Sequence, residues 1–308
     1  MATAELAPKS AVSRSRRMRR LRENATGYLF IAPWIIGLVV FTGGPIFGGL
    51  ALSLFDWDTL SAPEFIGFDN FIRLPTDERF VRSLHQTVYF TFASVPLGLT
   101  ISFLLALLVN QKLKGVNFFR TAYFLPGVSS VVAIALIWGW LYDGHTGLVN
   151  FLLDLIPGVT PPLWLVDTRW SMPAVIIMSV WRTMGFDMII FLAGLQAIAP
   201  EYYESARIDG ANRWQLLRHI TLPLISFTIF FLVVVSIIGS FKVFEQTLIL
   251  TNGGPAFSTY TLVFYIYRHA FQQFNMGYAS AMAFTLFAIT FIVTMFQWRM
   301  QRRWVHYD

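Results

Sequence analysis

The chain has 308 residues, of which 56% are hydrophobic and only 13% are charged, and its mean hydropathy is +0.58. Soluble proteins contain about 25% charged residues, so this composition indicates a membrane protein and excludes a disordered chain or a nucleic-acid partner. The chain has no Cys, which excludes disulfides, thiol chemistry and Cys-ligated metal sites.

Apolar stretches along the chain predict six membrane spans, because a spanning helix needs about 20 mostly apolar residues. Six Arg residues between Arg14 and Arg22 come before the first stretch, and residues 1–27 are predicted to form a basic cytoplasmic tail. Residues 28–303 are predicted to form one all-α transmembrane domain. Its spans are predicted at Tyr28 to Phe55, Thr87 to Val109, Thr121 to Tyr142, Met172 to Ala199, Thr221 to Leu250 and Met276 to Trp298.

Positive charges predict the orientation of these spans. Sixteen Lys and Arg side chains fall in the two tails and in the loops near residues 110 and 210, whereas the loops on the opposite side contain only five. Since cytoplasmic loops carry the excess of Lys and Arg, both termini are predicted to be cytoplasmic. The acids in residues 56–78 and 143–167 are then on the outer side, where we interpret them as a solvated rim.

Several kinds of chemistry have no basis in this sequence. It contains no G-x-x-x-x-G-K-[ST] loop, so any ATP must be bound by another chain. The five His residues are scattered, without the spacing of a metal-binding pair. There is no G-x-S-x-G motif and no acid pair in a glycosidase setting. We therefore predict a subunit that is not an enzyme and has no catalytic residue, cofactor or metal of its own.

The segment between the fourth and fifth predicted spans carries the most specific pattern. It begins at Pro200, has acids in its first turn and reaches Gly210, which is typical of a short helix with a left-handed cap. Small side chains in it suit a helix that seats in the groove of a partner. The alternative is a surface helix that only joins two spans. The candidate docking residues are Glu204, Ser205, Ala206, Arg207, Ile208, Asp209 and Gly210.

The spacing of this segment resembles the EAA loop of ABC importer permeases. Glu204-Ser205-Ala206 is followed after three residues by Gly210, and nine residues later by Ile-x-Leu-Pro at 220–223. Ser205 stands where the family pattern has Ala, a change between small residues that keeps docking possible. In that family the loop forms a coupling helix, at about 200–210 in this chain, which docks into a cleft of a cytoplasmic ATPase.

The resemblance covers nearly the whole chain and is greatest to the carbohydrate-uptake branch, the maltose-F, lactose-F and glycerol-phosphate-A type. Matching segments include residues 67–71, 124–126, 252–255 and 276–281. The resemblance implies the six-span fold of a type I importer permease, in the cell membrane of a prokaryote. It also implies the partners: a second homologous permease subunit forming a heterodimer, two copies of an ATPase that bind ATP and Mg, and an external sugar-binding protein.

Polar side chains inside the fourth and fifth predicted spans form a second candidate site. Ionisable groups at membrane depth usually face a partner or a water-filled cavity. Helix packing through small and hydroxyl side chains is the alternative. The resemblance favours a substrate pathway, because the family's sugar contacts come mainly from these two spans. The candidate pathway residues are Ser179, Arg182, Thr183, Phe186, Ser236, Gly239, Ser240 and Val243.

Four charged side chains in these spans bear on the cargo, namely Arg182, Asp187, Lys242 and Glu245. Their charges sum to zero, which predicts a neutral di- or oligosaccharide and an ion-pair network around Arg182. An unpaired Arg182 would instead favour an anionic cargo. The predicted function is a permease subunit that forms half of the translocation pathway of an ATP-driven sugar importer. The alternatives are glycerol-phosphate or polyol uptake and, from another class, an ion-coupled secondary transporter.

Overall fold

The computed structural model describes Asn24, residues 26–111 and residues 114–301, so the predicted basic tail before Asn24 lies outside the described residues. The chain divides into two compact units, one ending at Leu52 and one beginning at Ser53. The first unit contains helix α1 (Thr26–Leu52). Its middle, Leu38–Gly43, is π-helical, because Pro45 lacks an N–H and disturbs the bonding of the preceding turn.

The second unit begins with a two-stranded antiparallel sheet, and its other regular elements in the described residues are helices and helical turns. Strand β1 (Phe55–Asp56) pairs with β2 (Glu64–Phe65), with Phe55 opposite Phe65. A 3-10 turn, Leu74–Thr76, comes before the first long helix. The helices are α2 (Asp69–Arg73), α3 (Glu78–Val109), α4 (Val116–Val128), α5 (Val131–Leu141), α6 (Leu148–Asp154), α7 (Ser171–Gln196), α8 (Pro200–Ile208), α9 (Arg213–Leu224), α10 (Ser226–Phe241), α11 (Glu245–Thr251), α12 (Leu262–Tyr267) and α13 (Met276–Gln301).

Four of the described helices, α1, α3, α7 and α13, are long and apolar enough to cross a membrane alone. Two bent pairs pass the same test together: α4 with α5 across a bend of 103°, and α9 with α10 across a bend of 65°. Counting each pair as one span gives the six predicted spans. The third span was predicted as continuous and is instead bent at residues 129–130, because Pro126 removes a helical donor and Ser129 is extended.

The fifth span was predicted as one continuous helix from Thr221 to Leu250, and this prediction was also wrong. Helix α10 ends at Phe241, residues 242–244 form a turn, and α11 begins at Glu245. Backbone outside regular helix occurs at membrane depth only where it is buried in protein or lines a cavity. The break at residues 242–244 is therefore expected to be buried in the protein or to line a cavity.

Helices α3 and α7 pack along each other and share apolar cores with α10 and α11. The backbone of α4 approaches α7 so closely at Gly185 that a Cβ there would overlap the carbonyl oxygen of Tyr123. A small residue permits this approach. The contact fixes which face of α7 turns toward α4 and which turns toward α10.

One carboxylate joins three helices at their ends. Asp77 Oδ1 accepts hydrogen bonds from the backbone N–H groups of Arg79 (2.9 Å) and Phe80 (3.3 Å), which caps α3. Its Oδ2 accepts from the phenol groups of Tyr265 in α12 and Tyr278 in α13, at 2.7 Å each. Burial by itself would raise the pKa of Asp77, but the four hydrogen bonds outweigh it and hold that pKa below its ordinary value.

Candidate functional site

A cavity of about 650 Å³ lies between α3, α7, α10 and α11. Arg182, near the middle of α7, and Ser94, near the middle of α3, both line it, so it lies at mid-depth of these spans. Contact with a cargo stays a prediction. The cavity is lined by all eight residues predicted for the substrate pathway: Ser179, Arg182, Thr183, Phe186, Ser236, Gly239, Ser240 and Val243.

Part of the cavity wall was missed by sequence reasoning. Helix α3 contributes Phe90, Ser94 and Gly98, and α12 contributes Val263. Ser94 and Gly98 lie at i and i+4 on one face of this span, and Thr91 and Ser102 continue the same stripe of small residues. Such a pair of small residues is the signal that could have identified α3 as a wall of the site.

The break after α10 forms a further wall and brings Lys242, Glu245 and Gln246 to the cavity. The backbone N–H groups of Lys242 and Val243 donate to the carbonyls of Gly239 and Ser240, at 3.1 and 3.2 Å. The Thr261 hydroxyl donates to the carbonyl of Val243 at 2.9 Å, which replaces a lost helical hydrogen bond. Discontinuous helices of this kind form substrate sites in membrane transporters. The run of polar residues after Gly239 was the sequence signal for this break.

The four ionisable side chains Arg182, Asp187, Lys242 and Glu245 all line this cavity. The ion-pair network around Arg182 stays a prediction: its Nε is buried without a hydrogen-bond partner among the described residues, and the charge of Glu245 acts on its guanidinium. Asp187 lies five residues further along α7, which places it on a different side of that helix. Glu245 belongs to α11, beyond the break. The break thus places the two candidate acids on different helices around Arg182.

Three of the hydroxyl groups on the cavity wall have a definite hydrogen-bonding direction. Ser179, Thr183 and Ser240 each donate to a carbonyl of their own helix, at 2.7, 3.1 and 2.8 Å. Their oxygens therefore present lone pairs to the cavity but no proton. Donors toward a cargo can come from the nitrogen-bearing side chains on the wall, which are Arg182, Lys242 and Gln246, and from the hydroxyls of Ser94 and Ser236.

An aromatic ring supplies an apolar surface beside these polar groups. Phe186 is half exposed and its ring stacks on Phe124 of α4, with centroids 6.4 Å apart and an interplanar angle of 23°. The two helices also lie close together here, since a Cβ at Gly127 would be in van der Waals contact with the Phe186 Cβ, at 3.5 Å. The ring is thereby held with one surface open to the cavity that it lines.

The predicted coupling helix is present as α8. It begins with Pro200 at its first position and has Glu201 in the first turn. Gly210 follows it with φ of +82°, a conformation that glycine adopts without strain. Among the candidate docking residues Ala206 is half-buried, and the exposed ones are Glu204, Ser205, Arg207, Ile208, Asp209 and Gly210. Their contact with an ATPase stays a prediction.

Helix α8 is linked to the cavity through α9 and α10. The Tyr203 hydroxyl shares a hydrogen bond of 3.1 Å with the Thr221 hydroxyl in α9. A capping box starts α9, in which Gln215 N–H donates to the Asn212 side chain at 2.9 Å and Asn212 N–H donates to the Gln215 side chain at 2.8 Å. Helix α8 is thus bonded to α9, which leads into α10, and the far end of α10 lines the cavity.

Comparisons with known proteins identify the family. Residues 76–306 match the family described as binding-protein-dependent transport system inner membrane component. The probable ABC transporter permease protein YesP of Bacillus subtilis is 37% identical over 302 residues, covering 97% of this chain and 96% of YesP. The lactose transport system permease protein LacF of Rhizobium radiobacter is 35% identical, covering 89% of this chain and 93% of LacF.

A solved structure agrees with these relatives. The crystal structure of a bacterial alginate ABC transporter, in complex with an alginate pentasaccharide-bound periplasmic protein, contains a chain with a TM-score of 0.82 and 29% identity, covering 92% of this chain and 96% of that one. The predicted all-α ABC importer permease fold is confirmed, and the relatives are named as transport permeases, in agreement with a transport subunit. The chain belongs to the family of binding-protein-dependent transport system inner membrane components, the multi-pass permeases of ABC importers.

Proposed function

We propose that this permease forms half of the translocation pathway for a neutral di- or oligosaccharide. The mid-span cavity at the helix break is the observation that carries the proposal. Its volume of about 650 Å³ falls in the range of about 300–1,000 Å³ typical of small-molecule sites. The named cargo of LacF, a lactose transport permease, supports a sugar.

The polar groups of the cavity suit a sugar because a sugar hydroxyl both donates and accepts. Ser179, Thr183 and Ser240 accept from it, as do the two carboxylates, whereas Arg182, Lys242 and Gln246 donate to it. Phe186 offers a flat apolar surface to a sugar ring. The two cations and two anions on the wall sum to zero, so the cavity has no excess charge to favour an anionic cargo.

The proposed assembly contains four kinds of chain in a prokaryotic cell membrane. A second homologous permease subunit completes the pathway, and an external binding protein delivers the sugar, as the periplasmic protein bound to the alginate transporter supports. Two copies of an ATPase hold ATP and Mg, one of them docked on α8. Closure of the ATPases moves α8, and the Tyr203–Thr221 contact passes the movement to α9 and α10. The cavity then opens to one side of the membrane at a time.

The cargo is tested by uptake into proteoliposomes that contain the whole transporter and its binding protein. Neutral oligosaccharides, uronate oligosaccharides and glycerol phosphate are compared. Arg182→Met removes a charged donor, worth about 1.5–3 kcal/mol, and should weaken apparent affinity roughly 10- to 150-fold. Arg182→Gln keeps a donor without the charge and should lose less.

The matched control is Arg299→Gln, which changes an exposed Arg at the end of α13, away from the cavity. It should transport as the unmodified protein does. Preferred uptake of the charged cargoes, with equal losses in Arg182→Gln and Arg182→Met, would contradict a neutral cargo and favour the anionic alternative.

A further inference from the structure

Helix α6, between the third and fourth spans, presents its apolar side to the exterior. Five residues of this helix and its following turn are spaced i, i+3, i+4, i+7 and i+8, which is the apolar stripe of an amphipathic helix. Such a stripe normally packs on the core of the protein. Here its exposed fractions are 53% for Leu148, 61% for Phe151, 53% for Leu152, 65% for Leu155 and 51% for Ile156.

The opposite side of α6 is fixed to the protein by a polar residue. Asn150 is only 5% exposed, and its side-chain oxygen accepts from the indole N–H of Trp164 at 2.8 Å. Its amide group donates to the carbonyl of Gly144 at 3.3 Å and to that of Pro162 at 3.4 Å. A rotation that buried the apolar stripe would break these bonds, so the helix is held with the stripe outward.

The surroundings of α6 are those of a membrane–water boundary. The span-forming helix α5 ends at Leu141, shortly before α6 begins at Leu148. Trp140 near the end of α5 is 80% exposed and Trp170 just before α7 is 42% exposed, whereas Tyr142 and Trp164 are buried in the core on which α6 packs. Trp and Tyr are enriched at this boundary.

The exposed stretch from Leu148 to Val166 carries almost no charge that could pair with a charged surface of a partner protein. Between Leu148 and Val166 the sequence contains one charged residue, Asp154, and the apolar exposure continues at Leu163 (51%) and Val166 (69%). A bilayer surface accepts such a stripe when the helix lies in the interfacial plane with its polar side toward water. A transient protein partner would instead require a polar rim.

We propose that α6 lies in the interface of one leaflet, the outer one in the predicted topology, with its apolar stripe among the lipid acyl chains and Asp154 toward water. The helix then anchors the loop between the third and fourth spans at a fixed depth. The inference rests on the membrane location of the family and not on the identity of the cargo.

Spin-label depth measurement tests this placement, and the absence of Cys from the chain leaves no background labelling. Single variants Phe151→Cys, Leu155→Cys and Asp154→Cys are labelled in the whole transporter in lipid nanodiscs. Oxygen reports contact with acyl chains, and a water-soluble nickel chelate reports contact with water. The labels at 151 and 155 should be relaxed mainly by oxygen, and that at 154 mainly by nickel. Thr160→Cys, at an exposed position, is the water-facing control.

Any of three results would overturn the placement. Equal nickel access at 151, 155 and 154 would place the stripe in water, whereas immobile labels shielded from both reagents would show that a protein partner covers it. Leu152→Cys, on the same stripe, replaces either variant if the label prevents assembly of the transporter. Loss of assembly with each of the labels at 151, 152 and 155 would also contradict a lipid contact, because a lipid-facing surface tolerates an apolar label.

Discussion

Asp77 accepts four hydrogen bonds and holds the start of α3 against α12 and α13. Asp77→Ala removes the helix cap, which costs about 0.5–2 kcal/mol, and leaves the phenols of Tyr265 and Tyr278 without their acceptor. We expect a lower unfolding temperature of the purified transporter than with Glu78→Ala, which changes the exposed neighbour. Equal unfolding temperatures for the two variants would contradict a structural role of this carboxylate.

The pH dependence follows from the depressed pKa of Asp77. The stabilising contribution is fully present above its ordinary pKa of 3.8 and is lost as the pH falls through the lower folded-state value. Acid unfolding of the unmodified protein should therefore include a component that Asp77→Ala lacks.

His269 packs between Tyr265 and Tyr278, with ring centroids 4.6 and 5.1 Å away. Burial lowers the pKa of His269, although nearby Asp77 opposes this effect.

Among the glycines of α4 and α7, Gly185 is the one that leaves the least space between the two helices. Gly185→Ala places a Cβ against the carbonyl oxygen of Tyr123, and backbone cannot move aside as a side chain can. Overpacking of this kind costs about 1–3 kcal/mol. The variant should unfold at lower temperature and disturb the neighbouring cavity wall at Arg182 and Phe186.

A matched substitution separates this steric effect from a general effect of removing glycine. Gly139→Ala in α5 adds a Cβ with nothing within 4 Å, and Ala is the better helix former. Its unfolding temperature should be unchanged or slightly higher. A similar loss in both variants would show that close packing at Gly185 is not the cause.

The sequence by itself predicted that α8 is a short helix, whereas its docking role depends on a partner chain. Glu204→Lys reverses a charge on its exposed surface, and Gly210→Val places a β-branched residue at φ of +82°, at a cost of about 1–2 kcal/mol. We expect both variants to weaken co-purification of the ATPase, or to uncouple ATP hydrolysis from uptake, while the permease remains in the membrane. Glu201→Lys makes the same charge change in the first turn, outside the candidate docking residues, and should affect coupling less. Normal coupled transport by Glu204→Lys and Gly210→Val would remove the basis for docking at α8.

At the scale of the whole molecule the orientation in the membrane stays a prediction from the charge distribution. Single Cys variants at Ser61 and Thr160 should react with an impermeant thiol reagent added outside intact cells. Variants at Gln111 and Arg213 should react only after permeabilisation. All four positions are exposed in the structure, so access is decided by the side of the membrane. Labelling of Gln111 from outside would reverse the topology.

The sequence by itself determined the membrane class, the six apolar segments, the short helix at 200–208 and the two polar faces of the candidate pathway. These features depend on hydropathy, on the 3.6-residue period and on cap residues such as Pro200 and Gly210, which act within one or two turns. Such signals are local, so the residues alone were sufficient.

Only the tertiary structure decided the breaks at 129–130 and 242–244 and the α3 wall of the cavity. Each depends on which distant groups meet. The freed carbonyl of Val243 finds its donor in Thr261, and the N–H of Leu262 finds its acceptor in Thr87, from a different span, at 2.8 Å. The outward stripe of α6 likewise depends on Asn150 and its contacts with Trp164 and Pro162. Periodicity identifies an amphipathic helix, but the contacts made across the fold decide which of its sides faces the protein.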